Sequence, residues 1–246
     1  VKVTEIGRIY FEQIQDILNQ LEQSYETVRS YQTKPMGQLR ISTMVGFGER
    51  ILLDLLDEFS QLYPDIIVDV SLSDELSALG RDDVDIAIRG GYAPNERVQA
   101  IRLMDNEFIP VASPSYLAEM GTPGSVHELR QHKGLYFRTP NGPSPWLCEL
   151  NGQWEDVSAP QVAVSNNGKW LADKAIKGEG IVMAPRWLLA PYLARGELRE
   201  LFFDPILRVT QNTDMAVYLL YQKQRYLVPK VKVAVDFLVA RVRGKY

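Results

Sequence analysis

The chain has 246 residues, 46% hydrophobic and 24% charged, with 27 Lys+Arg against 31 Asp+Glu and a formal net charge of -4. That length can bury a sizeable core in one long domain or two small ones without covalent staples, and the acidic balance argues against the chain itself being a nucleic-acid-binding surface. The lone Cys148 excludes an internal disulfide, no Cys/His spacing suits a metal, no apolar run reaches transmembrane length, and residues 1–30 lack the apolar core of a secretory signal, so a reducing, cytoplasmic setting without membrane contact is expected.

The chain opens on a helical pattern. Ile6, Tyr10, Ile14, Ile17, Leu21 and Val28 recur at three- to four-residue steps among Glu, Gln and Arg, with no proline before Pro35. The stripe is narrow and punctuated by Gly7 and Ser24, which predicts a short helix-pairing seam; a surface helix packed on its own domain is the alternative. The breaker-rich joint Thr33–Gly37 separates this helix from the first strand. A first residue that is valine rather than methionine suggests that something has been removed upstream.

Gly37–Leu72 then reads as strand, tight loop, helix, strand, a βαβ unit that seeds a parallel sheet. Leu39 and Ile41 alternate with polar residues up to Thr43, Gly46 and Gly48 punctuate a turn, and Ile51, Leu52, Leu55, Leu56 and Phe59 recur at helical spacing until Tyr63-Pro64 forbids continuation. The loop Thr43–Gly48 would lie at the carboxyl end of a strand and the free N–H end of a helix, where open α/β sheets bind ligands. It is the first site candidate.

A second helix is predicted near Glu75–Arg81, followed by a buried strand Val84–Ile88 that ends in Arg89-Gly90-Gly91. Arg89 would stand near the same edge as Thr43, or else pair with a local acid such as Asp85. Phe108–Ala112 is a strand ended by Ser113-Pro114 and a natural crossing between two lobes. Gly121–Gly134 is a connection with one short helix, Ser125–Gln131, and its His127 and His132, without carboxylate or cysteine companions, read as solvated surface histidines. Leu135–Arg138 is a strand ending in a second arginine, and Leu150–Val157, with Asn151-Gly152 inside it, a hairpin.

The strand Gln161–Val164 is followed by Ser165-Asn166-Asn167-Gly168, which caps the helix Lys169–Lys177 and repeats the strand, polar loop, helix logic of Thr43–Gly48. Ile181–Pro185 is a buried strand feeding a short helix Arg186–Tyr192, Met215–Tyr221 a last strand, and Pro229–Arg241 a terminal amphipathic helix. Two α/β units of this kind are built like two lobes facing a cleft. No nucleophile elbow, metal-ligand spacing, phosphate-binding glycine loop or dinucleotide fingerprint occurs, and Asp82-Asp83 reads as a solvated turn. No catalytic residue, metal site or cofactor is therefore expected.

Thr4-Glu5-Ile6-Gly7, Gly37-Gln38-Leu39-Arg40-Ile41-Ser42, Phe59-Ser60-Gln61-Leu62-Tyr63-Pro64, Val84-Asp85-Ile86-Ala87-Ile88-Arg89, Ala112-Ser113-Pro114-Ser115-Tyr116-Leu117 and Gly178-Glu179-Gly180-Ile181 come in an order and spacing that carry a resemblance. Across essentially the whole chain they resemble the linker helix and effector-binding domain of LysR-type transcriptional regulators. One departure is Gly46, where many relatives have serine, so only backbone donors remain there.

The resemblance implies an α/β fold of two Rossmann-like lobes with a ligand cleft between them, like periplasmic binding proteins of type 2, preceded by a long linker helix. It implies a linker and dimerisation helix over residues 1–34, lobe one over 35–109 with 226–246, and lobe two over 110–225. Expected effector contacts are Thr43, Met44, Val45, Gly46 and Phe47 from lobe one and Ser165, Asn166 and Asn167 from lobe two, with Ser73, Arg89 and Arg138 near the walls. The implied effector is a small anion, a carboxylate or another, held by backbone N–H groups with an arginine balancing its charge. The implied assembly is a dimer or tetramer through the linker helix and effector domain, with DNA bound only by an N-terminal winged helix-turn-helix absent from this chain. A free-standing solute-binding protein for a small anion is the alternative; the missing signal and the N-terminal pairing helix oppose it.

Overall fold

The computed structural model describes residues 4–29, 34–74, 84–91, 98–212 and 214–245. Helix α1 (Glu5–Arg29) leads into β1 (Gly37–Thr43), a helical turn α2 (Val45–Phe47) that continues through a π turn (Gly48–Leu52) into α3 (Leu53–Leu62), and then β2 (Ile66–Leu72), β3 (Ile86–Gly90) and β4 (Val98–Asp105). There follow β5 (Phe108–Ala112), α4 (Pro114–Met120), a 3-10 turn (Val126–Gln131), β6 (Gly134–Thr139), β7 (Gly142–Pro143), β8 (Leu147–Leu150), β9 (Gln153–Asp156) and β10 (Gln161–Ser165). The chain closes with α5 (Gly168–Ile176), β11 (Ile181–Pro185), α6 (Arg186–Ala194), β12 (Arg199–Glu200), β13 (Ala216–Gln222) and α7 (Pro229–Lys245).

Two sheets of the same plan result. The first runs β2-β1-β3-β13-β4 and the second β10-β6-β11-β5-β12, with β7 paired to β6. In each, three strands that share a direction are joined by a strand of opposite direction delivered by a chain crossing: β13 runs antiparallel to β3, and β5 antiparallel to β11. A hairpin, β8-β9, stands apart, and its turn residues Asn151 and Gly152 take φ of 52° and 77°, the left-handed pair that a tight two-residue turn requires.

The chain divides into two compact units. Unit one holds the described residues up to Met44, Ile51–Met104 and those from Val217 onward; unit two holds Val45–Arg50 and Asp105–Ala216. These bounds differ from the expected lobes. The last strand belongs to the first sheet, through pairs such as Leu219↔Ile88, instead of lobe two, and the six residues after Met44 group with unit two. The helix also begins at Val45, earlier than Gly46 and Gly48 suggest, because Phe47 is fully buried and draws the backbone into a helical turn.

In unit one, Leu39, Ile41, Ile86, Ile88, Phe59, Val231, Val235 and Leu238 are buried, and Phe59 meets Phe237 of α7 at 5.3 Å between ring centroids. Each such side chain contributes on the order of 1.5–3 kcal/mol of burial. Asp85, 3% exposed, fastens the end of the chain to β1. Its Oδ1 accepts from Arg225 Nη1 at 2.6 Å and its Oδ2 from the Arg40 backbone N–H at 3.0 Å, while Lys230 Nζ stands 3.6 Å from Oδ2 and donates to the Gln38 carbonyl at 2.5 Å. These partners, and not Arg89, take up Asp85, so the alternative reading of Arg89 as its ion-pair partner does not hold.

In unit two, one core cluster joins Tyr116, Leu129, Tyr136, Trp146 and Cys148, and another joins Val111, Leu135, Leu171, Val182, Leu188 and Leu189. The Cys148 thiol is buried and its pKa raised by desolvation. His132, expected at the surface, is buried instead: Tyr116 Oη lies 3.1 Å from its Nδ1 and accepts the Lys133 N–H at 2.9 Å. Burial holds that imidazole below its ordinary pKa, against the opposing charge of Glu128. His127 is exposed, as expected. The helix predicted at Glu75–Arg81 and the pair Asp82-Asp83 lie outside the described residues.

Candidate functional site

In unit one the candidate residues gather at the carboxyl edge of the sheet. The parallel register sets Thr43 beside Leu72 and Ile88, so Met44, Ser73 and Arg89 follow at adjacent strand ends. The Ser73 N–H donates to the Thr43 carbonyl at 2.8 Å, the Met44 N–H to the Ile88 carbonyl at 3.3 Å, and the Gly90 N–H to Met44 Sδ at 3.1 Å. Thr43 is fully buried, with its hydroxyl 3.4 Å from the Met44 carbonyl, so its contribution is to packing and backbone direction. Arg89 is also buried: Nη2 donates to Ser42 Oγ at 2.6 Å and Nη1 to the Ile88 carbonyl at 2.8 Å. Desolvation lowers its guanidinium pKa, which the Asp74 carboxylate opposes, and an arginine so placed remains a cation. Ser42, its buried partner, escaped sequence reasoning because it reads as the outward residue of an alternating strand.

In unit two the remaining candidates stand at the carboxyl ends of two parallel neighbours, β6 and β10, where Phe137 is paired with Ser165. Arg138, one residue further along β6, is exposed. Ser165 Oγ accepts the Asn167 N–H at 3.1 Å, and Asn167 Oδ1 accepts the Trp170 N–H at 2.9 Å, which caps α5. Asn166, between them, is exposed. Since Asn167 spends its carbonyl oxygen on the helix, Asn167→Ala should destabilise the fold by about 1 kcal/mol, read as a lowered urea midpoint. An unchanged midpoint would show that the cap contributes nothing.

Val45, Gly46 and Phe47 belong to the same unit and bring a second helix start to it. Gly46 lies against Trp187 and Leu188 of α6, and Gly168, at the start of α5, lies against Leu188 as well. These two α6 residues were not candidates from sequence. The readable signal was a small residue at each of the two polar helix starts, which implies a bulky neighbour. Among the described residues no group of three or more His, Cys, Asp or Glu side chains could hold a metal ion.

Two sheets of order second, first, third, crossing strand, fourth, each with candidate residues at its strand ends, define a binding domain of the type 2 periplasmic-binding-protein architecture. The family described as the LysR substrate binding domain matches residues 32–243, and the chain belongs to that family. It is the ligand-sensing regulatory domain of a LysR-type transcriptional regulator. It is 29% identical over 242 residues to the HTH-type transcriptional activator TtdR of Escherichia coli strain UTI89, covering 98% of this chain and 76% of that protein. The structure of CrgA, a LysR-type transcriptional regulator from Neisseria meningitidis, is similar with 27% identity and a TM-score of 0.76, over 97% of this chain and 80% of that one. The CrgA regulatory domain gives 28% identity and a TM-score of 0.74, over 85% of this chain and the whole of that domain. No helix among the described residues is long and apolar enough to cross a membrane.

Proposed function

We propose that the domain senses a small anion, with a carboxylate as the group recognised, through Val45–Phe47, Arg138 and Ser165–Asn167 of unit two. The observation that carries this reading is Arg138, an exposed cation at the end of β6, beside the capped start of α5 on the neighbouring strand. A guanidinium at the end of β6, on the strand beside the one that leads into α5, suits a carboxylate, since charge-assisted hydrogen bonds and the helix dipole would act together. Ligand binding then biases the arrangement of the regulator, with no reaction catalysed. Screening carboxylates by thermal shift and measuring the hits by calorimetry tests this. Arg138→Ala should weaken binding about tenfold or more, the equivalent of losing a charged hydrogen bond of about 1.5–3 kcal/mol. Unchanged affinity for the identified carboxylate would remove Arg138 from the site.

The regulator is further proposed to act in the cytoplasm as a homo-oligomer, its DNA contact made by a helix-turn-helix outside these residues, as the name of the TtdR relative suggests. Ile6, Tyr10, Phe11, Ile17, Leu18 and Leu21 of α1 are each more than half exposed, an apolar stripe that a second copy of the helix would cover. Ile17→Glu with Leu21→Glu should convert the oligomer to monomer in sedimentation at tens of micromolar. A wild-type chain that sediments as monomer with α1 helical would sink this part of the reading.

A further inference from the structure

Tyr116 of α4, 1% exposed, and His132, 6% exposed just after the 3-10 turn, meet inside unit two with ring centroids 5.8 Å apart. Tyr116 Oη accepts the Lys133 N–H at 2.9 Å and lies 3.1 Å from His132 Nδ1. The phenol hydrogen has no other acceptor among the described residues, so it is donated to Nδ1, which makes His132 the neutral imidazole with its hydrogen on Nε2. A second proton must then enter at Nδ1, where the phenol already points. Lys133 is held on its other side as well: its carbonyl accepts the Ile181 N–H at 2.8 Å, and the next residue, Gly134, donates to the Pro160 carbonyl at 2.8 Å. The histidine and tyrosine thus tie α4 to the residues that lead into β6.

We propose that this pair is a proton-operated latch, closed while His132 is neutral and opened when Nδ1 takes a proton. The protonated ring presents an N–H to the phenol, whose own hydrogen is then left without an acceptor, and a cation is left in a desolvated place. Glu128, on the 3-10 turn, attracts that cation, but it is exposed and already accepts the Gly124 N–H and the Ser125 hydroxyl. Glu119 acts on the phenol from α4, Glu179, just before β11, pairs with Lys174, and the nearby Arg130 and Lys133 supply no counter-charge. Burial therefore prevails over Glu128 and holds the imidazole below its ordinary value of 6.5. Because the unfolded chain takes up this proton first, the stabilisation is complete above that value and is lost as pH falls through the folded pKa. Acidification then releases the Lys133 N–H and, with it, the start of the strand that carries Arg138.

The test is a titration of the whole chain by NMR between about pH 5 and 8. The chain has two histidines, and His127→Gln, at an exposed position, leaves the signal of His132 alone. That signal should titrate at a lower pH in the folded chain than in the same chain unfolded in urea. Tyr116→Phe, which keeps the ring but removes the donor to Nδ1, should move the folded titration upward. Exchange of the Lys133 amide, corrected for its intrinsic dependence on pH, should lose protection as His132 takes its proton, whereas in His132→Gln, which cannot titrate, protection should stay constant over the same range. The titration and the exchange of the chain with Tyr116 and His132 intact stand even where a substitution of either fails to fold. Equal or higher titration of His132 in the folded chain, protection of Lys133 that does not change as His132 titrates, or a loss that persists in His132→Gln overturns the proposal.

Discussion

Asp85→Ala is expected to destabilise unit one by about 3–5 kcal/mol, the usual consequence of removing one member of a buried ion pair. Asp85 is 3% exposed and serves three donors, Arg225, the Arg40 backbone N–H and, at longer range, Lys230. Without it two cations are left in a site where their side chains are 13% and 6% exposed, and an N–H of β1 loses its acceptor. The carboxylate is thus more costly to lose than its attraction alone suggests, because the two cations stay largely desolvated after their counter-charge is gone. Asp85→Asn, which keeps an oxygen for the Arg40 N–H, should lose less. Urea unfolding measures both; a loss below about 1 kcal/mol for Asp85→Ala would mean that water reaches and solvates the two cations. The same change should leave the strand ends of unit two, and hence Arg138, in place, so folded protein at low temperature should still respond to a carboxylate.

Much of the fold was readable because strong local signals agreed. The alternation through Leu39 and Ile41, the proline that stops α3, and the Asn151-Gly152 turn each name one backbone state. The misses have physical causes. Strand β4 went unseen because it buries only the adjacent Leu103 and Met104, which leaves no clean alternation. Helix α4 hid behind Ser113-Pro114, read as a terminator, although Ser113 Oγ accepts the Tyr116 N–H and proline suits the first turn of a helix. Strand β13 joins the first sheet by pairing with residues some 130 positions earlier, which no local pattern reports. His132 illustrates the same limit: its partner Tyr116 lies sixteen residues away, so a polar segment concealed a buried histidine.

The candidate site divided along similar lines. Polar loops between a strand and a helix were visible at Thr43 and at Ser165–Asn167, and Asn167 does start a helix. Side-chain direction was not visible. Arg89 turns into the sheet toward Ser42 while Arg138 points to solvent, although both are arginines at the end of a strand. The difference comes from neighbours: β3 is flanked by β1 up to Ile88 and by β13 at Arg89 itself, whereas Arg138 is matched only by the short β7.

Gly134→Ala is the second change expected to have a large effect, about 3 kcal/mol of lost stability, at the upper end of what overpacking usually causes. A Cβ there would lie 2.3 Å from Tyr136 Cε2 and 2.7 Å from both Cζ and Oη. The ring cannot yield easily, since it is 1% exposed, stacked on Trp146 at 4.8 Å, and its hydroxyl donates to the Ala159 carbonyl at 2.6 Å. Nor can the backbone, because Gly134 is paired with Gln161 on one side and Ile181 on the other, and its N–H donates to the Pro160 carbonyl at 2.8 Å. A double-mutant cycle with Tyr136→Ala checks the cause: if the ring is the obstacle, the pair should be less destabilised than the sum of the single changes by about 0.5–3 kcal/mol. Additivity within about 0.5 kcal/mol would acquit the ring. Because β6 carries Arg138 at its other end, a displaced Gly134 should also shift that cation relative to Ser165, and the folded fraction of Gly134→Ala should bind a carboxylate more weakly than the wild type.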